Sequence, residues 1–240
     1  MAGRIERDCL AGAERLADSP LVRGLSAPAV EAMARAQRVE HAAAGTVLLQ
    51  GEDTAARFHV VLEGRVKLVR HHAGNGRELT LFLLGPGDGF DIVGLLDGRP
   101  HDITALALDP VSLCSAPAAL WRRWLDENPL LRHAMLHYVA RQFRHLDTLA
   151  GELAMDDTMT RLAHLLLRHF DEEEARGAPN LIRDLPHEEL AHLIGSVRVV
   201  ITRLLGRLRN AGIVRTVGGH LHVPELHRLL DLAERHLGGR

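Results

Sequence analysis

The spacing of apolar residues changes character several times along this chain, and each change predicts a different kind of element. Between Ser26 and Arg38 the stripe Val30, Met33 and Ala34 repeats at helical spacing behind a capping serine, which predicts a short amphipathic helix. From Gly45 to about Ala116 the chain breaks into short runs rich in Val, Leu and Phe: 46–49, 58–62, 65–71, 78–84, 103–108 and 111–115. Residues 65–69 and 78–81 alternate polar and apolar as half-buried strands do, and Gly74-Asn75-Gly76 between them predicts a hairpin. The glycines at 45, 51, 64, 74, 76, 85, 87 and 89 fit chain reversals that need positive φ. Strands at this spacing predict an antiparallel barrel or jelly roll.

From Ala118 the period becomes helical and stays so. After Pro129, the residues Leu136, Val139, Phe143, Leu146, Ala150 and Leu153 recur at alternating spacings of three and four. A helix from Leu130 to Leu153 spans about 36 Å, more than is needed to cover one side of a barrel. Its seam predicts self-association, the alternative being a helix packed on its own core. Met155-Asp156-Asp157 reads as a hinge before a further helix, 158–170.

The stretch from Pro186 to Leu205 reads as helix, tight turn, helix. Ala191 is small enough for a close crossing, and Gly195 can end the first helix in the left-handed conformation. Leu190, Ile194, Ile201 and Leu204 fall where the two helices share a core. Ser196, Arg198, Val199, Thr202 and Arg203 fall on the outward side of the second, with Ser196 near its N-cap. Residues 212–223 read as strand, glycine turn, strand, forming a wing.

Charge sharpens this picture only when it is resolved along the chain. The 29 Lys and Arg nearly balance the 31 Asp and Glu, yet 190–224 contains no acid and five arginines, Arg198, Arg203, Arg207, Arg209 and Arg215. Such an asymmetry points to a polyanion-binding module, while the run Asp171-Glu172-Glu173-Glu174 before it reads as a solvated helix end or linker. Hydrophobic residues at 46% can build a core, and no stretch approaches the roughly 20 apolar residues that cross a bilayer. Cys9 and Cys114 are too few for a disulfide framework, a four-cysteine iron-sulfur cluster or a zinc-cysteine site, and fit the cytoplasm.

Three tempting motifs fail on geometry. His187-Glu188 with His192 departs from the zinc-protease spacing, because histidines five apart are rotated about 140° on a helix. Gly85-Pro86-Gly87-Asp88-Gly89 sits in a strand-turn-strand context with no helix pattern after it, which disfavours a dinucleotide loop. His71-His72 with Glu78 has a cupin look, but neighbouring residues on a strand face opposite ways. No metal ligands or catalytic residues are assigned.

Barrel, long helix and winged helix-turn-helix in this order resemble the CRP/FNR family of bacterial transcription regulators from about Pro20 to Leu230. The resemblance rests on Ala44-Gly45-Thr46 with Gln50-Gly51-Glu52, on Val61-Leu62-Glu63-Gly64-Arg65-Val66-Lys67-Leu68, on Leu84-Gly85-Pro86-Gly87-Asp88, and on the helix-turn-helix. It implies an α+β chain: a cyclic-nucleotide-binding-like β-barrel or jelly roll that senses an effector (20–128), a dimerisation helix and hinge (129–155), and a winged helix-turn-helix (156–232). The implied partners are double-stranded DNA at a near-palindromic site, a second copy of the chain and RNA polymerase, with no membrane. Where the family's recognition helix carries Arg, Glu, then Arg, this chain has Arg198 and Arg203 with Val199 in place of the Glu. An acceptor for a cytosine amino group is thereby replaced by an apolar contact.

The resemblance also places an effector pocket along 90–104, lined by Phe90, Asp91, Ile92, Val93, Arg99, Ile103 and Thr104. The family's ribose-binding Glu and phosphate-clamping Arg both correspond to isoleucine, Ile92 and Ile103. Losing the charge-assisted phosphate pair forfeits ~1.5 to 3 kcal/mol, which argues against cAMP, with Asp91 or Arg99 as offset substitutes. Haem stays open, with His41, His59, His101 and His133 as candidate ligands, although Val93 stands where the family's CO sensors carry theirs. The competing functional readings are an effector-sensing interaction module that does not bind DNA and, last, a cupin-like metalloenzyme.

Overall fold

The computed structural model describes residues 14–176 and 180–237. The side chains of the acidic run 171–174 and Cys9 lie outside the described residues. The chain divides into two compact units, Met1–Arg70 with Phe82–His145, and His71–Leu81 with Leu146–Arg240.

The elements in chain order begin with α1 (Ala27–Arg35), β1 (Arg38–Ala42), β2 (Val47–Gln50), β3 (Arg57–Glu63), β4 (Val66–His71), β5 (Glu78–Leu84) and β6 (Gly89–Phe90). There follow α2 (Ile92–Asp97), β7 (Thr104–Ala107), β8 (Val111–Pro117), α3 (Ala118–Glu127) and α4 (Pro129–Met155). The remainder is α5 (Thr158–Arg176), α6 (His187–Leu193), α7 (Arg198–Asn210), β9 (Arg215–Val217), β10 (His220–His222) and α8 (Leu226–Leu237).

Eight strands form two four-stranded sheets, β1-β8-β3-β6 and β2-β7-β4-β5, so the sandwich is a jelly roll rather than a closed barrel. Leu49, Val66, Leu68, Ala105 and Ala107 of one sheet meet Val61, Phe90, Val111 and Leu113 of the other in one buried cluster. The opposite face of the first sheet presents Phe58, Val60, Leu62, Cys114 and Ala116 to Val30, Met33, Trp121, Leu131, Met135 and Tyr138 from the helices. Strand β3 is apolar on both faces because both are covered, which is why its sequence lacks alternation. Phe58 meets Trp121 edge to face with ring centroids 4.8 Å apart.

Gly64, at φ +78, turns β3 into β4, and a Cβ there would lie 2.5 Å from the Pro110 carbonyl oxygen. The Arg65 guanidinium beside it forks onto Asp109 at 2.6 and 2.9 Å. The long helix α4 is fastened to β6 by Tyr138, whose hydroxyl donates to the Gly89 carbonyl at 2.8 Å and accepts from the Gly89 amide at 3.0 Å. Burial raises the Tyr138 pKa well above the usual phenol range, with the neighbouring Asp88 carboxylate adding to the effect.

Several expectations are corrected. The first helix stops at Arg35, because Arg38–Ala42 is drawn into an antiparallel pair with β8. Helix α2 was absent from the sequence pattern, being only six residues long, and β6 is a two-residue strand just before it. The glycines at 74, 85 and 89 lack positive φ. Gly89 is instead required by crowding, since a Cβ there would run into the Phe58 ring and lie 2.7 Å from Leu21 Cδ1.

In the second unit, buried Glu152 near the end of α4 pairs with Arg168 of α5, and its carboxylate lies 3.5 Å from His164 Nδ1. Asp157 Oδ1 accepts the Thr160 amide at 2.8 Å and so caps α5 at the expected hinge.

Candidate nucleic-acid interface and effector pocket

Helices α6 and α7 are joined by a turn in which Gly195 has φ +62 and the Ser196 amide donates to the Ala191 carbonyl at 2.8 Å. The positive φ requires glycine, while a Cβ there would stand 2.7 Å from Leu153 Cδ2, the end of a side chain that can move aside. Leu190, Ile194, Ile201 and Leu204 are buried together, as their spacing predicts.

Arg198, Val199, Thr202 and Arg203 are all exposed, and Val199 is 72% accessible. Ser196 is only partly exposed. It precedes the N-cap, which is Val197 in extended conformation, so its hydroxyl does not cap the helix. Five exposed arginines, Arg198, Arg203, Arg207, Arg209 and Arg215, stand on this acid-free segment, and none forms an ion pair among the described residues. The wing is the β9–β10 hairpin, whose turn residues Gly218 and Gly219 have φ +58 and +85, as the tightest hairpin connection needs.

His187, which the sequence offers only as part of a failed zinc-protease motif, has a contact that its spacing did not suggest. His187 Nδ1 shares a hydrogen bond with Thr202 Oγ1 at 2.9 Å. Burial, then the Arg209 and Arg198 guanidiniums, hold its pKa below the usual imidazole value. The clue was its position at the start of α6, which only the helix crossing brings against α7.

In the effector region, Phe90 is buried and stacks on His59 at 4.8 Å. Asp91 is buried: its Oδ2 accepts the Ala55 amide at 2.6 Å and its Oδ1 lies 2.8 Å from His101 Nε2. Burial nevertheless raises the Asp91 pKa against these bonds. Ile92 packs with the helices and Ile103 with the intersheet core, whereas Val93 and Arg99 are exposed and Thr104 is partly buried in β7.

The histidines weighed as haem ligands belong to separate elements, His41 to β1, His59 to β3 and His133 to α4, with His101 in the segment before β7. His41 Nδ1 bonds Ser112 at 2.9 Å, His101 bonds Asp91, and His133 Nε2 lies 3.0 Å from His137 Nε2 on α4. His59 is buried in β3, and desolvation, aided by Arg57, lowers its pKa to about 4.

Two family models match, a cyclic nucleotide-binding domain over residues 39–128 and a Crp-like helix-turn-helix domain over 160–232. The Cyclic AMP receptor protein of Thermus thermophilus is 31% identical over 216 residues, covering 90% of this chain and 97% of that one. The chain belongs to the CRP/FNR family. Within the CRP/FNR family, a Global nitrogen regulator of Nostoc is 36% identical over 174 residues, covering 70% of this chain and 77% of its own. Among solved structures, FixK2 from Bradyrhizobium japonicum superposes with a TM-score of 0.71 at 18% identity over 82% of this chain and 96% of that one, a likeness of fold. As a CRP/FNR member with an intact helix-turn-helix, the chain is a DNA-binding transcription regulator. No helix among the described residues is long and apolar enough to cross a membrane.

Proposed function

We propose that this regulator acts in the cytoplasm as a homodimer, inserting one α7 helix from each copy into successive major grooves of a near-palindromic site. Arg198, Val199, Thr202 and Arg203 face base edges, with Ser196 beside them. The observation that carries this reading is the set of five outward arginines on a segment without acid. Paired α4 seams set the separation of the reading helices at about one helical turn of DNA, roughly 34 Å. RNA polymerase is the partner through which binding becomes regulation, and the chain itself carries out no catalysis.

A small effector held in the jelly roll sets activity, and it is not cAMP. Ile92 and Ile103 supply no charge to a ribose hydroxyl or cyclic phosphate, Arg99 is exposed, and the Asp91 carboxyl is occupied by Ala55 and His101. Site selection from random duplexes tests the DNA reading: an enriched palindrome supports it, and no enrichment favours an interaction module instead. A Soret band, or a nucleotide co-purifying from the native host, would restore the haem or nucleotide reading.

A further inference from the structure

We propose that Glu78, Glu189 and His192 form a binding site for a divalent transition-metal ion, with zinc the best chemical match. Glu189 and His192 sit three apart on α6, a spacing that brings both side chains to one helix face. The hairpin segment 71–81, which belongs to the same compact unit as α6, brings Glu78 against them. His192 Nδ1 lies 3.0 Å from Glu78 Oε1 and 3.7 Å from Glu189 Oε2, and the three donor atoms all fall within 4.8 Å of one another. Bonds of about 2.0–2.1 Å in a tetrahedral zinc site give donor–donor edges of about 3.3–3.4 Å, so an ion enters with shifts of only a few tenths of an ångström along the two measured edges.

Two further observations favour an ion over simple charge pairing. The His192 Nδ1 atom is buried and makes no hydrogen bond despite its proximity to two carboxylates. His71 Nε2 lies 3.4 Å from the other oxygen of Glu78, within reach of a fourth position. All three principal side chains are partly buried, with 14%, 20% and 22% of their surface accessible for Glu78, Glu189 and His192. One imidazole with two carboxylates suits zinc and cobalt(II) better than the all-oxygen preference of calcium or magnesium. His187 takes no part, being bonded to Thr202. An ion here ties the hairpin segment to the helix that leads into the reading helix, and so acts on the DNA-binding unit itself.

The test titrates the full-length protein with Zn²⁺ against a chromophoric chelator and with Co²⁺ by visible absorption. One tight site per chain is expected, with a tetrahedral cobalt band lacking thiolate charge transfer. Glu189→Gln and His192→Gln should each weaken it at least tenfold, while metal-free circular dichroism stays native. His137→Gln, which removes half of the exposed His133–His137 pair, should leave it unchanged. The proposal is overturned if no saturable tight site appears, if both α6 variants bind as wild type does, or if the His137 variant alone abolishes binding.

Discussion

The Ala55 amide donates to the Asp91 carboxylate across 2.6 Å, and these are the two non-glycine residues with positive φ among the described residues, at +71 and +68. Each left-handed residue costs of order 1 kcal/mol, so the bond between them holds two strained turns together at the rim of the effector region. Gly94 completes the arrangement, since a Cβ there would stand 2.6 Å from the Ala55 backbone and from Asp91 Oδ1. Asp91→Ala should destabilise the chain by about 2–3 kcal/mol, because a buried amide loses its acceptor. Asp91→Asn should cost less, as asparagine tolerates the left-handed region and keeps an acceptor. Gly94→Ala should cost about 1–3 kcal/mol by overpacking. Urea denaturation measures all three, and an Asp91→Ala variant as stable as wild type would show that the link carries no energy.

Stability should fall in acid through His59. Its folded pKa of about 4 lies below the ordinary 6.5, so the unfolded chain binds a proton that the native state refuses. The resulting stability is present above pH 6.5 and is lost as pH falls toward 4, by up to about 3 kcal/mol. His59→Phe keeps a ring against Phe90 and gives up no hydrogen bond at Nδ1. Comparing the two proteins at pH 7 and pH 4.5 isolates the effect: the acid loss should be smaller in the variant, and equal losses would remove His59 from the account.

Arg198 and Val199 should behave differently on DNA. Arg198→Ala is expected to cost about 1–3 kcal/mol and to relax preference at one base position. A loss uniform across sequences, with a shallower salt dependence, would make Arg198 a phosphate contact. Val199→Glu restores an acceptor at an exposed position and should shift selection there toward cytosine. Site selection with each variant reads both outcomes.

The seam on α4 should be a dimer contact. Leu136 and Phe143 are 62% and 70% exposed in the single chain, an unfavourable position for large apolar groups unless another surface covers them. Phe143→Glu should shift sedimentation toward monomer and weaken palindrome binding while leaving the thermal unfolding of the monomer nearly unchanged. A variant that sediments as wild type would place the contact elsewhere.

The reading unit was legible because its cues are local. Gly195 needs its φ whatever surrounds it, the buried quartet follows from helical period, and outward arginines follow from the same period. The effector region was far less legible. Helix α2 is too short to show a period, and the engagement of Asp91 depends on Ala55, 36 positions away. Ser196 lies next to the cap as its position suggests, but the cap itself is Val197, which adopts the extended cap conformation without a capping side chain, a choice made by backbone geometry.

By itself the amino-acid sequence determined the order of elements, the hairpin and wing turns, the outward face of α7 and the acid-free arginine segment, since each depends on neighbours within a few residues. Tertiary structure alone decided that the strands form two sheets without closing, that β1 exists, and that Glu78 stands beside Glu189 and His192. Those outcomes depend on which distant segments share buried surface, and no periodicity along the chain encodes a pairing between segments so far apart in sequence.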